Sequence, residues 1–283
     1  MNKRGKVDMN EERAFSFLPL NEREAKPRRH GVTEIRGPYY TAMGKRYLED
    51  VFETMGKYID ILKFAGGSFS LMPRRAVKEL IDLCHRYEVL VSTGGFLEHV
   101  LTCGKQAVDG YLRESQRIGF DIVEISSGFI SIPQDDLVRL TDRVQKIGLK
   151  AKPEVGIQFG AGGASTPEAL ETAGTTDPGW AIQLAKRHID AGTYMIMIES
   201  EGITESVRSW RTEIAARFIR ELGLEKVMFE AADAPVFQWY IKNYGPEINL
   251  FVDHSQIILL ECLRSGIWGP QNLWGRVLTY KEK

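Results

Sequence analysis

Four glutamates occupy matching places in the chain, each at or beside the end of a short apolar run. They are Glu124, Glu154, Glu199 and Glu230. If these runs are parallel strands of one barrel, the carboxylates converge on one cavity, where mutual repulsion and burial raise their pKa values. Positive charge must offset them, and oxygen ligands favour Mg²⁺ over zinc. The pattern predicts acid-base or metal chemistry, with structural ion pairs around the barrel mouth as the open alternative.

Two basic residues end the first two apolar runs. Arg36 ends the first run and Lys63 the second. A buried ammonium at Lys63 is suited to act as a general acid, an anion clamp or a Schiff-base amine, unless the side chain extends to solvent. The residue types alone leave these roles open, but both cations are candidates to offset the glutamates.

Glycines next to the second and third runs, together with a late histidine, are candidates for substrate binding. Backbone N–H groups approach a phosphate closely where side chains are missing, although tight turns need glycine as well. His254 follows Asp253 at the end of the last run, where helix capping and a functional role are equally compatible with the sequence. The candidate substrate-binding residues are Gly66, Gly67, Ser68, Gly94, Gly95 and His254.

These residues are spaced by a regular alternation of apolar runs and amphipathic stretches. Eight such units in about 250 residues predict an α/β protein with a (β/α)₈ TIM barrel, whose reactive face lies at the C-terminal ends of the strands. The predicted strands are residues 32–36, 59–64, 89–92, 122–126, 150–155, 194–199, 227–231 and 248–252. The predicted helices are residues 46–55, 74–87, 105–118, 134–147, 178–190, 204–222, 235–244 and 255–265.

Three segments follow from this pattern. We expect a flexible N-terminal arm over residues 1–30, the barrel over residues 31–270 and a C-terminal tail over residues 271–283. The long glycine-rich connection 156–177 follows the fifth strand. It is either a lid over the site or simply a mobile loop.

Composition narrows the function classes. The chain has 283 residues and a net charge of −1, without the basic excess of a dedicated nucleic-acid or anionic-membrane binder. Its apolar runs are far shorter than the roughly 20 residues of a membrane helix. Three cysteines without a CxxC pattern indicate neither a disulfide framework nor a zinc site. We therefore expect a cytoplasmic protein with a small-molecule ligand, and a homo-oligomer is compatible with the sequence.

Six strings, in the same order along the chain, carry a resemblance to a known family. They are KFAGGSFS (63–70), STGGFLE (92–98), GFDIVEISSGF (119–129), KPEVG (152–156), AGTYMIMIESEGI (191–203) and EKVMFEA (225–231). As a set, these strings resemble the phosphosulfolactate synthase family over residues 31–264. Residues 26–40 and 244–257 look closer to the plant heat-stress-associated branch than to the archaeal enzymes.

The resemblance implies an activity. The archaeal members are Mg²⁺-dependent (β/α)₈ barrels that add sulfite to phosphoenolpyruvate, giving (2R)-phospho-3-sulfolactate on the route to coenzyme M. By this resemblance Lys63 is the general acid and Arg36 clamps phosphate or sulfite. The glutamates divide between proton handling at Glu124, Glu154 and Glu199 and metal binding at Glu154, Glu199 and Glu230.

Two departures from the archaeal pattern leave other functions open. The fifth strand continues as PEVGIQ, where archaeal members tend to carry lysines, and the eighth ends in Asp253 and His254. One alternative is a non-catalytic, stress-associated barrel. Another is a Mg²⁺-dependent enzyme acting on a different phosphorylated or carboxylated acid, with Asp253 and His254 as an acid-base pair. Carboxylates that converge on one cavity would favour an enzyme, and carboxylates that are each paired would favour the scaffold.

Overall fold

A computed structural model describes residues 7, 12–158, 166–168, 170, 177–231 and 233–280. Its eight parallel strands pair in sequence order, and the last pairs with the first, which closes the barrel. The predicted (β/α)₈ TIM barrel is confirmed. The strands are β1 (Thr33–Arg36), β2 (Ile61–Lys63), β3 (Leu90–Ser92), β4 (Ile122–Ile125), β5 (Lys150–Val155), β6 (Ile196–Ile198), β7 (Val227–Glu230) and β8 (Asn249–Asp253).

Helices alternate with the strands and cover the outside of the barrel. Within the described residues they are α1 (Lys45–Met55), α2 (Arg74–Arg86), α3 (Leu97–Thr102), α4 (Lys105–Ile118), α5 (Gln134–Lys146), α6 (Gly179–Asp190), α7 (Thr212–Leu222), α8 (Ala234–Tyr244) and α9 (Ile257–Arg264). Gly119 ends α4 with a φ of 112°, a left-handed conformation that glycine adopts readily, and the chain then turns into β4. This turn aims the strand that carries Glu124. Among the described residues no helix is both long and apolar enough to cross a membrane.

One predicted helix was partly wrong. The pattern placed a helix from residue 204, but α7 begins at Thr212. The preceding residues form a tight turn instead, in which the carbonyl of Ser200 accepts hydrogen bonds from the N–H groups of Ile203, Thr204 and Glu205. The turn brings Glu205 to the mouth of the barrel, so the departure from helix changes the composition of the site.

The barrel interior changes character along its axis. An apolar cluster fills one part of the barrel and consists of Val32, Ile61, Ile122, Met195, Met197, Met228 and Phe251. A larger apolar core lies between the sheet and the helices. Nearer the C-terminal ends of the strands, the interior side chains are the charged groups Glu34, Lys152 and Glu124, all of them buried. The fold therefore supports a charged layer on an apolar base.

The described part of the N-terminal segment packs against the barrel. Arg28 donates to Asp60 at 2.8 Å, and Lys26 Nζ donates to the carbonyls of Gly56 and Tyr87. Domain boundaries at residues 30 and 270 remain predictions, as does the mobility of the arm. Most of the predicted lid, including Gly160, Gly162, Gly163 and Ser165, lies outside the described residues.

Candidate active site

A cavity of about 700 Å³ opens at the C-terminal ends of the strands, and we call it the main cavity. It brings together residues from six strands and the loops that follow them. Both predicted cations and all four predicted glutamates line it: Arg36, Lys63, Glu124, Glu154, Glu199 and Glu230. The placement of these side chains in one cavity is the arrangement expected of an enzyme.

Lys63 is held between two carboxylates. Its Nζ lies 2.9 Å from Glu124 Oε1 and 3.5 Å from Glu154 Oε2, and 4.4 Å from the centre of the Phe251 ring. Burial alone would lower the pKa of Lys63, but the surrounding carboxylates, Glu124 first, raise it well above its ordinary value. Lys63 is buried and does not extend to solvent. It is therefore a protonated donor at the cavity wall.

Glu124 links Lys63 to a deeper pair. Lys152 Nζ lies 3.0 Å from Glu124 Oε2 and donates to Glu34 Oε1 at 2.6 Å. Burial opposes ionisation of Glu124, but Lys63 and Lys152 hold its pKa below the ordinary value. Sequence reasoning placed Glu34 and Lys152 among the strand-end residues of the reactive face but assigned them no role. Their position two residues before Glu154 and Arg36 puts them on the same interior face of β5 and β1, because side chains alternate along a strand.

Glu154 and Glu199 are the carboxyl groups whose negative charge the site compensates least. Burial, and repulsion from Glu124, raise the pKa of Glu154 to about 8. Burial, with repulsion from Glu230 and Glu154, raises the pKa of Glu199 well above its ordinary value. Glu199 Oε1 accepts a hydrogen bond from the N–H of Glu201 at 3.0 Å. Across the part of the chain that the structure describes, Glu199 forms no ion pair with a lysine or arginine.

Arg36 and Glu230 form a pair at the rim. Arg36 Nη2 donates to Glu230 Oε1 at 2.9 Å, and Nη1 donates to the hydroxyl of Tyr40 at 3.0 Å. The guanidinium carbon also lies 5.1 Å from the centre of the Phe251 ring. Burial raises the pKa of Glu230, although Lys63 and Arg36 oppose the shift. An anion that binds Arg36 would therefore compete with Glu230.

Two further carboxylates line the main cavity, and the sequence reasoning missed both. Glu205 accepts a hydrogen bond from Ser200 Oγ at 2.7 Å. Glu98, at the start of α3, accepts from the N–H groups of Gly128 at 3.0 Å and Phe129 at 2.8 Å. The string STGGFLE contained Glu98, but its place on a helix after the strand gave no sign that it faces the cavity. The lining then includes six carboxylates, against the permanent positive charges of Arg36 and Lys63.

The predicted substrate-binding glycines fall into two groups. Gly66 and Gly95 line the main cavity, whereas Gly67, Ser68 and Gly94 are not among its lining residues. A Cβ on Gly67 would lie 2.1 Å from the Phe96 ring, and one on Gly94 would lie 2.6 Å from the Phe64 carbonyl oxygen. These two glycines therefore permit close packing of the loops. The buried hydroxyl of Ser68 has no hydrogen-bond partner among the described residues.

His254 lies beside the cavity. Its Nδ1 is 3.1 Å from the Arg36 carbonyl oxygen, and its ring makes an edge contact with Tyr47. Asp253 caps the following turn by accepting from the N–H of Ser255 at 3.0 Å, and these hydrogen bonds lower its pKa despite burial. Neither residue is part of the cavity lining. The geometry supports the capping interpretation of Asp253.

The donor set fits a hard divalent cation in its chemistry. Six carboxylates with two permanent positive charges leave a surplus of negative charge, and all the anionic donors are oxygens. Throughout the described ranges, however, no three His, Cys, Asp or Glu side chains are already gathered as a metal cluster. A cation would therefore have to draw Glu154, Glu199 and Glu230 together.

Comparison with known proteins assigns the family. The family model described as (2R)-phospho-3-sulfolactate synthase (ComA) matches residues 21–270, which include every residue that lines the main cavity. The chain belongs to this family. The resemblance inferred from the six strings is thus confirmed.

Curated relatives cover nearly the whole chain. Protein HEAT-STRESS-ASSOCIATED 32 of Arabidopsis thaliana is 40% identical over 259 residues, 88% of this chain and 91% of the plant protein. Phosphosulfolactate synthase of Methanothermobacter thermautotrophicus is 27% identical over 263 residues, 90% of this chain and 96% of the archaeal protein. The chain therefore relates both to an enzyme of the family and, at higher identity, to a protein named for heat stress.

Solved structures support the fold alone. The carboxyl transferase domain from Rhizobium etli pyruvate carboxylase, solved with pyruvate and biocytin, superposes with a TM-score of 0.57 at 10% identity. The superposition covers 83% of this chain and 44% of that one. At this identity the comparison shows a shared barrel.

Proposed function

We propose that this protein is a phosphosulfolactate synthase-type enzyme that adds sulfite to phosphoenolpyruvate, with Mg²⁺ as its cofactor. The observation that carries the proposal is Lys63, a buried and protonated ammonium held between Glu124 and Glu154 in the main cavity. Family membership supplies the reaction type. The geometry supplies a proton donor next to a surplus of carboxylates.

Lys63, Glu124 and Arg36 have distinct roles in the proposed reaction. Sulfite attacks the methylene carbon of the enol acid and forms the C–S bond, and Lys63 delivers a proton to the neighbouring carbon. Glu124, held ionised between Lys63 and Lys152, fixes the position of the ammonium. Arg36 exchanges Glu230 for a phosphate or sulfite oxygen, for which a guanidinium is well suited.

Glu154, Glu199 and Glu230 are the residues that would hold Mg²⁺. When bound, the ion supplies electrostatic stabilisation of the negative charge that develops on the substrate carboxylate. Binding at these three side chains would also offset the burial and the repulsion between carboxylates that raise their pKa values. The chain's own contribution is a set of buried oxygen donors directed at one cavity.

A second candidate function is a non-catalytic barrel that acts through protein contacts. The pairing of Glu124 with two lysines and of Glu230 with Arg36 favours it, since a scaffold needs only balanced ion pairs. The higher identity to the heat-stress-associated protein favours it as well. Glu199, which forms no described ion pair, argues for the enzyme.

Phosphorus NMR tests the proposal. Purified protein is mixed with phosphoenolpyruvate, sulfite and Mg²⁺, beside Lys63→Ala and a control, Lys45→Ala, on the exposed face of α1. We expect a new phosphate-ester resonance with the wild type and the control, and a rate about 10²- to 10⁴-fold lower with Lys63→Ala. No turnover with Mg²⁺ bound would indicate another acid substrate, and no turnover without Mg²⁺ binding would favour the scaffold.

A further inference from the structure

A second cavity adjoins the main cavity, and we call it the side cavity. Its volume is about 390 Å³. Glu154, Glu199 and Ile130 line both cavities, so the two share a wall at the predicted reaction centre. A three-carbon acid in the main cavity leaves the side cavity to another group.

The walls of the side cavity are apolar or polar without positive charge. Apart from the two shared glutamates, every side chain in the lining is uncharged, and none is basic. The apolar part is formed by Ile130, Ile132, Leu137, Val155, Ile157, Trp180 and Leu184, and the neutral polar part by Ser127, Ser131, Gln134 and Gln158. Within the described lining, the surface therefore has no cation to pair with an anion.

The sequence around the side cavity explains the missing cation. The described lining residues lie within residues 127–137, 154–158 and 180–184 and at Glu199, and none of these stretches contains a lysine, arginine or histidine. Arg187 reaches the rim, where it donates to Gln134 Oε1 at 3.3 Å, but its guanidinium is also paired with Asp135. The sequence of the connection 156–177 thus contains no positive charge, whereas the loop after β6 carries Arg208, which lies 3.9 Å from Glu168, and Arg211, which donates to the Gly202 carbonyl.

Hydrogen-bond acceptors remain at the side cavity. Gln158 contributes none of them, because its buried Oε1 lies against Gly202 and its Nε2 donates to the Leu170 carbonyl at 2.8 Å. Glu154 and Glu199 add carboxylate oxygens on the shared wall. Because an anion that leaves water for this surface finds no cationic partner in the described lining, the surface discriminates against anions.

We propose that the side cavity binds an uncharged or cationic organic group that has an apolar body and a hydrogen-bond donor. The inference rests on the proposed function only for the position of the acid, which occupies the main cavity beside Lys63 and Arg36. Phosphate and sulfite, as anions, bind there as well. The group in the side cavity is either an extension of the acid itself or a separate reactant.

Fluorine NMR of the full chain labelled with 5-fluorotryptophan tests this assignment. Trp180 lines the side cavity, and Trp180→Phe identifies its resonance. Benzylamine, benzyl alcohol and benzoate share one size and carry a positive, a zero and a negative charge. We expect the first two to shift the Trp180 resonance, with a dissociation constant at least about tenfold lower than that of benzoate. Sulfite should leave this resonance unchanged.

A charge-reversal variant gives a second readout. Ser131 is exposed at the side cavity, so Ser131→Lys adds a cation without disturbing the core. We expect this variant to bind benzylamine more weakly and benzoate more tightly than the wild type. Thr54→Lys, at an exposed position of α1, should change neither affinity. The proposal is overturned if benzoate or sulfite shifts Trp180 as strongly as benzylamine, or if none of the probes shifts it.

The source of the group is decided with phenylpyruvate, an acid that carries an apolar ring. If phenylpyruvate shifts the Trp180 resonance at a lower concentration than benzylamine does, the group in the side cavity is an extension of the acid. A shift with benzylamine that persists beside phosphoenolpyruvate, and none with phenylpyruvate, would identify a separate reactant. Because Trp180 reports binding in the side cavity, these results are independent of whether phosphoenolpyruvate and sulfite are turned over.

Discussion

At the N-terminal end of the barrel, buried charges have partners that satisfy them. We call this region the floor, consisting of Arg23, Arg28, Asp60, Glu261 and Arg264. Arg28 binds Asp60, while Arg23 and Arg264 both bind Glu261. At the mouth, six carboxylates face Arg36 and Lys63 in one cavity, and burial together with repulsion raises the pKa values of Glu154, Glu199 and Glu230.

The difference between the floor and the mouth indicates which charged groups serve stability and which serve function. Buried charges that each have an ion-pair partner hold a structure in register, because removal of one partner leaves the other without compensation. Unbalanced charges destabilise the fold, and they are kept where a ligand or metal supplies the missing partner. On this argument, substitutions at the floor should lower stability, and neutral replacements of Glu154 or Glu199 at the mouth should raise stability and lower function.

The largest effect is expected at Arg264, which is fully buried. Its guanidinium donates to the carbonyls of Gly31 and Ile248 and to the hydroxyl of Thr33. Arg264→Met leaves these acceptors unpaired and should lower the free energy of unfolding by about 3–5 kcal/mol. Urea denaturation measures the change. Arg75→Met, at an exposed position on α2, is the control, and equal stabilities for the two variants would contradict the role of the floor.

A smaller effect of opposite sign is expected at Glu199. Glu199→Gln keeps the shape of the side chain but removes a buried carboxylate that has no described cation partner. At pH 9 without metal it should raise the free energy of unfolding by about 1–2 kcal/mol. Glu79→Gln on the surface of α2 should change it by less than about 0.5 kcal/mol. A loss of stability at Glu199 would assign this carboxylate a structural role.

The pH dependence should separate the two regions more finely. The pKa of Glu154 is raised from 4.5 to about 8, so folding takes up protons in this range. The contribution of the protonated Glu154 carboxyl to the free energy of unfolding is fully present below about pH 4.5. It is lost as the pH rises through about 8. The shifts at Glu199 and Glu230 have the same sign.

Denaturation of the metal-free protein between pH 5 and 9 measures this loss. For each proton that unfolding releases, the free energy of unfolding falls by up to about 1.4 kcal/mol per unit rise in pH. Glu154→Gln should flatten the curve, and Arg264→Met should shift it downward without changing its slope. A curve that rises with pH, or one that Glu154→Gln leaves unchanged, would mean that the mouth is electrostatically balanced.

The sequence predicted the main cavity because barrel geometry is simple. Residues at the ends of parallel strands meet at one end of the barrel, so Lys63, Glu124, Glu154 and Glu230 could be placed together without coordinates. Glu98 and Glu205 could not, since one lies on a helix and the other in a turn whose pattern indicated a helix. The position of Glu98 depends on a tertiary hydrogen bond from Phe129, and that of Glu205 on a local turn closed on Ser200, which the helical pattern did not indicate.

The glycines show a second limit of sequence reasoning. Gly66, Gly67, Gly94 and Gly95 were equivalent candidates for anion binding, and only the packing distinguishes them. Gly67 and Gly94 lie against Phe96 and Phe64, whereas the other two line the main cavity. A double glycine indicates a close approach of the backbone to another group. Whether that group is a protein side chain or a bound ligand depends on the fold.

Calorimetric titration of Mg²⁺ tests the central claim most directly, which is that the carboxylate surplus at the mouth is a binding site. At pH 8.5 we expect the wild type to bind one Mg²⁺, and Glu199→Gln to bind it at least about tenfold more weakly. Arg75→Met should bind like the wild type. No binding by the wild type, or equal binding by Glu199→Gln, would contradict the account.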